Sequence, residues 1–127
     1  MAYFKLNNNE TLKILLDAGH GAGTAHNRGY VGAKWKNEGD GNWYFSRILT
    51  EELLKYKRIQ VDTTRPKITD TPGDATGNLR LRGQKAKGYH IFISLHTNAF
   101  NGTANGVEIY ADVNDYDRDL MRRLIQS

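Results

Sequence analysis

Two apolar segments, each ending in a histidine, constrain the fold of this chain most strongly. Residues 14–20 have the sequence ILLDAGH, and residues 91–96 have the sequence IFISLH. Short apolar runs of this kind are typical of buried strands. In an open α/β sheet, ligands bind in the crevice beyond the carboxyl ends of the strands. His20 and His96 are therefore expected to lie close together at that edge, where two imidazoles could bind a metal ion.

Strand and helix patterns alternate along the chain. Four short runs rich in β-branched or other apolar residues are predicted strands: residues 12–17, 58–64, 90–95 and 106–110. Helical patterns separate the first three of them. This alternation predicts an α/β fold with a mostly parallel, twisted sheet flanked by helices and joined by right-handed crossovers. The site is then expected at the C-terminal ends of the strands.

The longest helical pattern places five apolar residues on one stripe, which we expect to pack on the sheet: Phe45, Ile48, Leu49, Leu53 and Tyr56. A shorter helix is predicted over residues 78–87, with Leu79 and Ala86 facing inward. Gly88 is expected to end it in a left-handed conformation. A third helical pattern begins at residue 115.

Composition limits the classes of function. A chain of 127 residues with 39% hydrophobic content is long enough for one globular domain with its own core. Its net charge is +4, but the basic residues are scattered and do not form an aromatic-interleaved patch, so we expect no nucleic-acid partner. No apolar run is long enough for a secretory signal or a membrane span, and we expect no membrane partner.

A hydrolytic zinc site usually has three protein ligands and one open position for water. The chain has no cysteine, so its ligands must be His, Asp or Glu. Glu38 is the best third candidate, because it lies at the start of the long helix, where the partial positive charge of the helix end stabilises a carboxylate. The alternative is an ordinary helix-start glutamate. Asp17 is a candidate for orienting His20, and the alternative is a loop carboxylate that caps local amides.

Six short motifs follow one another in a characteristic order. They are LLDAGHG at residues 15–21, NEG at 37–39, TR at 64–65, LxxRxxxA at 79–86, ISLHTNA at 93–99 and GVEIY at 106–110. In this order they resemble the zinc-dependent N-acetylmuramoyl-L-alanine amidases found in bacterial cell-wall hydrolases and phage endolysins. Because the motifs cover most of the chain, residues 1–127 are interpreted as an amidase catalytic domain.

The resemblance implies a function and a ligand set. By that resemblance, His20, Glu38 and His96 are the ligands of a Zn²⁺ ion. The implied substrate is peptidoglycan, and the implied reaction is hydrolysis of the amide bond between N-acetylmuramic acid and the L-alanine of the stem peptide. Zinc suits this reaction because it lowers the pKa of a bound water and polarises the scissile carbonyl.

Further side chains have both a functional and a structural interpretation. Asn98 follows the second histidine closely and is weakly favoured as a hydrogen-bond donor to substrate, although a turn-forming asparagine is the alternative. Arg65 and Arg82 are candidates for contacting the carboxylates of the stem peptide, but arginines at such positions more often form structural ion pairs. Trp43 and Tyr44 are expected either to line a glycan groove or to pack the helix.

The chain departs from the family pattern in its last part. Family members usually continue through a helix to a final strand that ends in a general-base glutamate. We find no counterpart of that glutamate, and Glu108 belongs to the fourth-strand motif, so no catalytic residue is assigned. The expectations are a truncated amidase, a non-catalytic domain that binds muropeptides, or a metallopeptidase of another substrate class. The parent protein would then have room for a cell-wall-binding domain.

The expected site of action is the cell wall. The chain begins at a methionine and has no secretory signal. We therefore expect synthesis in the host cytoplasm followed by release, as for a phage lysin.

Overall fold

A computed structural model describes residue 7 and residues 9–21, 37–71 and 79–97, all of them within the compact unit Leu6–Asn98. The described elements, in chain order, are β1 (Leu12–Ala18), α1 (Glu38–Leu53), β2 (Ile59–Thr63), α2 (Leu79–Gln84) and β3 (Ile91–Leu95). This order matches the predicted alternation of strands and helices. The fourth predicted strand and the helical pattern from residue 115 lie outside the described residues.

The three strands form a parallel sheet in the order β2-β1-β3. Ile14 of the central strand pairs with Val61 on one side and with Ile91 on the other. Four apolar residues of β1 are at most 3% exposed: Ile14, Leu15, Leu16 and Ala18. A parallel strand that is covered on both faces has a continuous apolar sequence instead of an alternating one. The predicted fold class is confirmed.

Helix α1 begins with a polar cap. Asn37 is extended, and its side-chain oxygen accepts a hydrogen bond of 2.9 Å from the backbone N–H of Asp40. Such a cap satisfies one of the amides that a helix start leaves without an intrahelical partner. The acidic residues Glu38 and Asp40 lie in the first turn, where the helix dipole stabilises negative charge. The cap therefore fixes where the helix begins, and with it the position of Glu38.

The prediction that the apolar stripe of α1 packs on the sheet is wrong. Phe45 and Ile48 are 56% and 59% exposed, and Tyr56, after the helix end, is also exposed. The buried residues of the helix form a polar stripe instead: Glu38, Gly39, Asn42 and Ser46. Three of these recur every four residues and so share one face. Their small or hydrogen-bonded side chains let the helix approach the end of β1. Asn42, for example, donates a hydrogen bond to the Gly19 carbonyl.

Helix α2 is shorter than the predicted 78–87 and faces the interior with a different residue. Leu79, predicted to face inward, is 77% exposed, whereas Arg82 is 2% exposed. The buried charge is possible because Arg82 has an ionic partner on β1, described below. Gly88 has the predicted positive φ, at +89°, but it does not end the helix, which stops four residues earlier at Gln84. In the described part of the chain, no helix is long and apolar enough to cross a membrane.

Candidate metal centre

The structure brings together the three side chains that the sequence singled out as metal ligands. His20 follows the central strand β1, His96 follows the neighbouring strand β3, and Glu38 is the first residue of α1. One potential ligand atom from each lies within 4.8 Å of the other two. The site is at the carboxyl edge of the sheet, where the parallel order of β1 and β3 places it.

The Glu38 carboxylate lies between the two imidazoles. Its Oε2 is 3.2 Å from Nε2 of His20, and its Oε1 is 3.1 Å from Nδ1 of His96. The Glu38 side chain is only 7% exposed, and Oε1 also accepts a 3.0 Å hydrogen bond from the backbone N–H of Thr97. Two oxygens of one buried carboxylate are therefore each directed at one imidazole.

The spacing and chemistry of these donors fit Zn²⁺. Two ligands at zinc bond lengths near 2.05 Å in a tetrahedron are about 3.3 Å apart. The contacts of 3.1 and 3.2 Å are close to this value but involve different oxygens of Glu38, and a set with one ligand atom from each residue lies within 4.8 Å. The His20 and His96 side chains are 32% and 40% exposed, so the cluster has a side open to solvent. Such a side can hold a water molecule and a substrate group.

The protonation of His20 also suits a metal ligand. Burial lowers the pKa of His20 below its usual value, Glu38 opposes this effect, and electrostatic interactions with His96, Arg82 and Arg65 lower the pKa further. A lowered pKa keeps the imidazole neutral at neutral pH. Metal ligation needs that neutral form, because a protonated nitrogen has no lone pair to donate.

The chain turns sharply where β1 ends. His20 has a φ of 61°, in the left-handed region, which costs a residue with a side chain roughly 1–2 kcal/mol. The preceding residue, Gly19, is packed against the second histidine: a Cβ built on it would lie 2.4 Å from both Cε1 and Nε2 of His96. The backbone N–H of Gly19 also donates to the carbonyl of Leu95 at 2.9 Å. A glycine at residue 19 thus allows the two histidine-bearing strand ends to meet.

Three consecutive carbonyls at this turn accept hydrogen bonds from buried side chains. Arg82 donates to the carbonyls of Ala18 and His20, and Arg65 approaches those of Ala18 and Gly19 at 3.4 Å. Asn42 donates to the Gly19 carbonyl at 3.2 Å. Carbonyls at the end of a strand that are shielded from water need such partners. The turn that presents His20 is therefore held by side chains from α1, α2 and the segment after β2.

A family comparison completes the description of the site. A sequence model described as N-acetylmuramoyl-L-alanine amidase matches residues 14–127. The chain belongs to this amidase family. The family resemblance inferred from the six sequence motifs is thereby confirmed. No curated protein matches the chain significantly.

Two solved structures resemble this amidase-family chain. One is the catalytic domain of CwlV, an N-acetylmuramoyl-L-alanine amidase from Bacillus (Paenibacillus) polymyxa var. colistinus, with 25% identity and a TM-score of 0.61 over 76% of this chain and 51% of that one. The other is the N-acetylmuramoyl-L-alanine amidase from Clostridium difficile 630, with 23% identity and a TM-score of 0.66 over 93% of this chain and 60% of that one. At 23% identity, the similarity to the second structure shows a shared fold. This chain thus spans about half to three-fifths of the length of these amidases.

Arg65 has a structural environment in the amidase-family chain. Its side chain is fully buried, and its guanidinium donates to the carbonyls of Gly39 at 2.7 Å, Ile68 at 2.9 Å and Asp70 at 3.1 Å. Burial and the neighbouring Arg82 lower its pKa. This geometry favours the structural interpretation over contact with a stem peptide. Arg65 joins the end of β1 to the first turn of α1.

Asp17 is a buried core carboxylate and not a loop residue. Its Oδ1 accepts from Nη1 of Arg82 at 2.9 Å and from the hydroxyl of Thr64 at 2.6 Å, and its Oδ2 accepts from the hydroxyl of Ser94 at 2.7 Å. These partners come from α2, from the residue that follows β2 and from β3. Asp17 is thus linked to the carbonyl of His20 through Arg82. This arrangement differs from both direct orientation of His20 and capping of local amides.

Other predicted residues fall into two groups. Trp43 donates its indole N–H to the carbonyl of Arg65 at 3.1 Å and contacts Tyr44 edge to face, with ring centroids 5.2 Å apart. Trp43 thus packs the helix, while Tyr44 is 43% exposed. Asn98 and Glu108 lie outside the described residues. Asn42 is a further residue of the site that was not predicted, although its spacing of four residues from Glu38 places both on one helix face.

Proposed function

We propose that this chain forms the zinc centre of a peptidoglycan hydrolase that cleaves the amide bond between N-acetylmuramic acid and L-alanine. The observation that supports this most directly is the cluster of His20, Glu38 and His96 at the carboxyl edge of the sheet in a member of the amidase family. The donor set agrees, since two imidazoles and one carboxylate form one of the common ligand sets of hydrolytic zinc sites.

The three ligands would have distinct roles around Zn²⁺. When bound, zinc would supply a water of lowered pKa and a Lewis acid for the scissile carbonyl. Glu38 would contribute the single negative charge, and its orientation is fixed by the amide of Thr97 and by Asn42 at 3.5 Å. His20 and His96 would leave the centre a net positive charge. Their partial exposure would let a bulky polymer reach the site.

The proposed substrate and site of action follow from the family. Peptidoglycan is the partner that an amidase of this kind acts on, so the protein is proposed to work at the cell wall, as an endolysin or an autolysin does. The net charge of +4 would favour association with anionic wall polymers.

An activity assay with matched variants tests the proposal. Purified peptidoglycan is incubated with the protein, and newly exposed N-terminal L-alanine on released stem peptides is measured by mass spectrometry. We expect release that stops on chelation and returns with zinc. Glu38→Gln should lower release by about 100-fold or more, because it removes a charged ligand. Glu52→Gln, at an exposed position of the same helix, is the control and should leave release unchanged.

Other outcomes distinguish the competing functions. Zinc binding and retention on cell walls without cleavage would indicate a muropeptide-binding domain. Equal cleavage of unrelated peptides would indicate a metallopeptidase of another substrate class. Release of L-alanine-linked peptides that is insensitive to both chelation and Glu38→Gln would contradict the proposed zinc centre.

A further inference from the structure

We propose that Arg82 is a positioning residue that holds the backbone of His20 in its left-handed conformation and thereby directs the imidazole toward Glu38 and His96. This inference rests on the proposed function only where zinc binding is concerned. The conformation of His20 is a property of the zinc-free chain. The two can therefore be tested separately.

The starting observation is that His20 adopts a φ of 61° although it has a side chain. A strained backbone conformation of this kind persists only where its surroundings fix it. The carbonyl of His20 accepts a hydrogen bond from Nη2 of Arg82, and the carbonyl of Ala18 accepts one of 3.1 Å from Nη1 of the same guanidinium. One rigid fork thus binds the backbone at two points, two residues apart, across the turn.

The guanidinium of Arg82 is itself fixed in place. The side chain is buried at 3% exposure, and Nη1 lies 2.9 Å from Oδ1 of Asp17, which is equally buried. Asp17 also accepts hydrogen bonds from Thr64 and Ser94, so its carboxylate cannot turn freely. A charge-assisted contact between groups held in this way is short and geometrically specific. Through Arg82, the backbone of His20 is therefore connected to a fixed carboxylate on the central strand of the sheet.

Arg65 and Arg82 differ in what they bind. Arg65 joins the carbonyls of Ala18 and Gly19 to that of Gly39 in α1, and no hydrogen bond from it to the His20 carbonyl occurs within the described residues. Arg82 binds His20 directly. Loss of Arg65 would disturb the docking of α1. Loss of the Arg82 guanidinium would instead release the backbone of His20, the proposed zinc ligand.

The test uses Arg82→Lys, with Arg80→Lys as the matched control at an exposed position of the same helix. Lysine keeps the positive charge beside Asp17 but lacks the planar fork that reaches two carbonyls at once. In the zinc-free protein, the strength of the intraresidue NOE between the amide and α protons of His20 reports its φ. A strong NOE is expected in wild type and in Arg80→Lys, and a weak one in Arg82→Lys.

Zinc affinity, measured by competition with a chelator, gives the second readout. Arg82→Lys should weaken zinc binding by about 10- to 100-fold, the usual effect of removing a group that orients a metal ligand. In a His20→Ala background the same substitution should cause no further loss, because its effect passes through His20. A merely structural role for Arg82 would lower affinity by the same factor in both backgrounds.

The outcomes separate the two proposals. If Arg82→Lys loses the left-handed signature of His20 while wild type binds no zinc, the positioning role stands and the proposed function fails. If wild type binds zinc and Arg82→Lys retains both the His20 signature and the affinity, the positioning role is wrong.

A second variant covers the case in which Arg82→Lys does not fold. Thr64→Val removes one hydrogen bond to Asp17 Oδ1, the oxygen that also binds Arg82, at nearly constant volume. It should weaken the His20 NOE signature and lower zinc affinity several-fold. Thr50→Val, which removes a hydroxyl bond to Ser46 within α1, is its control and should change neither. Identical behaviour of the two threonine variants would overturn the proposal.

Discussion

Replacing Gly19 with alanine should disrupt the proposed metal centre without replacing any of its three side chains. The added Cβ would lie 2.4 Å from two ring atoms of His96 and 2.6 Å from the carbonyl oxygen of Leu95. Ordinary contacts of a Cβ begin near 3.4 Å. The imidazole must therefore move by about 1 Å, several times the tolerance of about 0.2 Å for metal–ligand distances. Because the Leu95 oxygen is backbone, the end of β3 must move as well.

The expected result of Gly19→Ala is a large loss of zinc affinity with a smaller loss of stability. Displacing one of three ligands should weaken zinc binding by at least about 10- to 100-fold. Overpacking usually costs about 1–3 kcal/mol in the free energy of unfolding, and the lower entropy of the unfolded alanine chain offsets up to about 1 kcal/mol of it. Chelator competition measures the first quantity, and urea unfolding of the zinc-free protein measures the second.

Gly83→Ala is the matched control. A Cβ on Gly83, within α2, would have no neighbour within 4 Å. The substitution should leave zinc affinity unchanged and raise the free energy of unfolding by about 0.5–1 kcal/mol, since alanine has the higher helix propensity. The reasoning is refuted if Gly19→Ala binds zinc as tightly as Gly83→Ala does, because the close approach of residue 19 to His96 would then have no consequence for the site.

Three further predictions concern stability, measured by urea unfolding of the zinc-free protein. Asn37→Ala should lower the free energy of unfolding by about 1 kcal/mol through loss of the α1 cap; an unchanged value would show that the cap is dispensable. Asp17→Asn should cost about 3–5 kcal/mol, because it leaves the Arg82 charge buried without its ionic partner. A cost below 1 kcal/mol would contradict that interpretation. Burial lowers the pKa of His20 in the folded state. As the pH falls, His20 is therefore protonated in the unfolded chain before it is protonated in the folded protein. The free energy of unfolding should then decrease below about pH 6.5. The free energy of unfolding should decrease less steeply with falling pH in His20→Asn. An equal dependence on pH in the two proteins would show that other groups cause the decrease.

The sequence predicts well that His20, Glu38 and His96 lie together, because simple rules place the two histidines and the family resemblance points to Glu38. Two apolar runs that end in histidines become neighbouring parallel strands, and their carboxyl ends meet at one edge of the sheet. A capped helix start brings Glu38 to the same edge. The strands and the helix start can be recognised from local patterns, whereas the neighbouring positions of β1 and β3 are known from the structure.

The inward face of α1 could not be predicted from hydrophobicity. The apolar stripe that includes Phe45 and Ile48 has the regular spacing of a core face, yet the face with Asn42 and Ser46 is the buried one. That face is polar because it packs against a turn whose carbonyls need donors. A hydrophobic pattern contains no information about which backbone groups elsewhere in the fold lack partners.

The buried arginines show the same limit. Arg65 and Arg82 lie at loop and helix positions, where arginine is usually exposed. Their burial depends on partners distant in the chain: Asp17 for Arg82, and the carbonyls of residues 18, 19 and 39 for Arg65. Only the assembled fold brings these groups together, so the role of Arg82 toward His20 became visible with the structure.

The central claim is that His20, Glu38 and His96 bind one zinc ion. The most direct measurement is anomalous diffraction at the zinc absorption edge from crystals of the protein grown with stoichiometric zinc. We expect one strong peak that lies within bonding distance of a nitrogen of each histidine and of the Glu38 carboxylate. Crystals without a zinc peak among these three side chains, or with zinc bound only elsewhere, would contradict it.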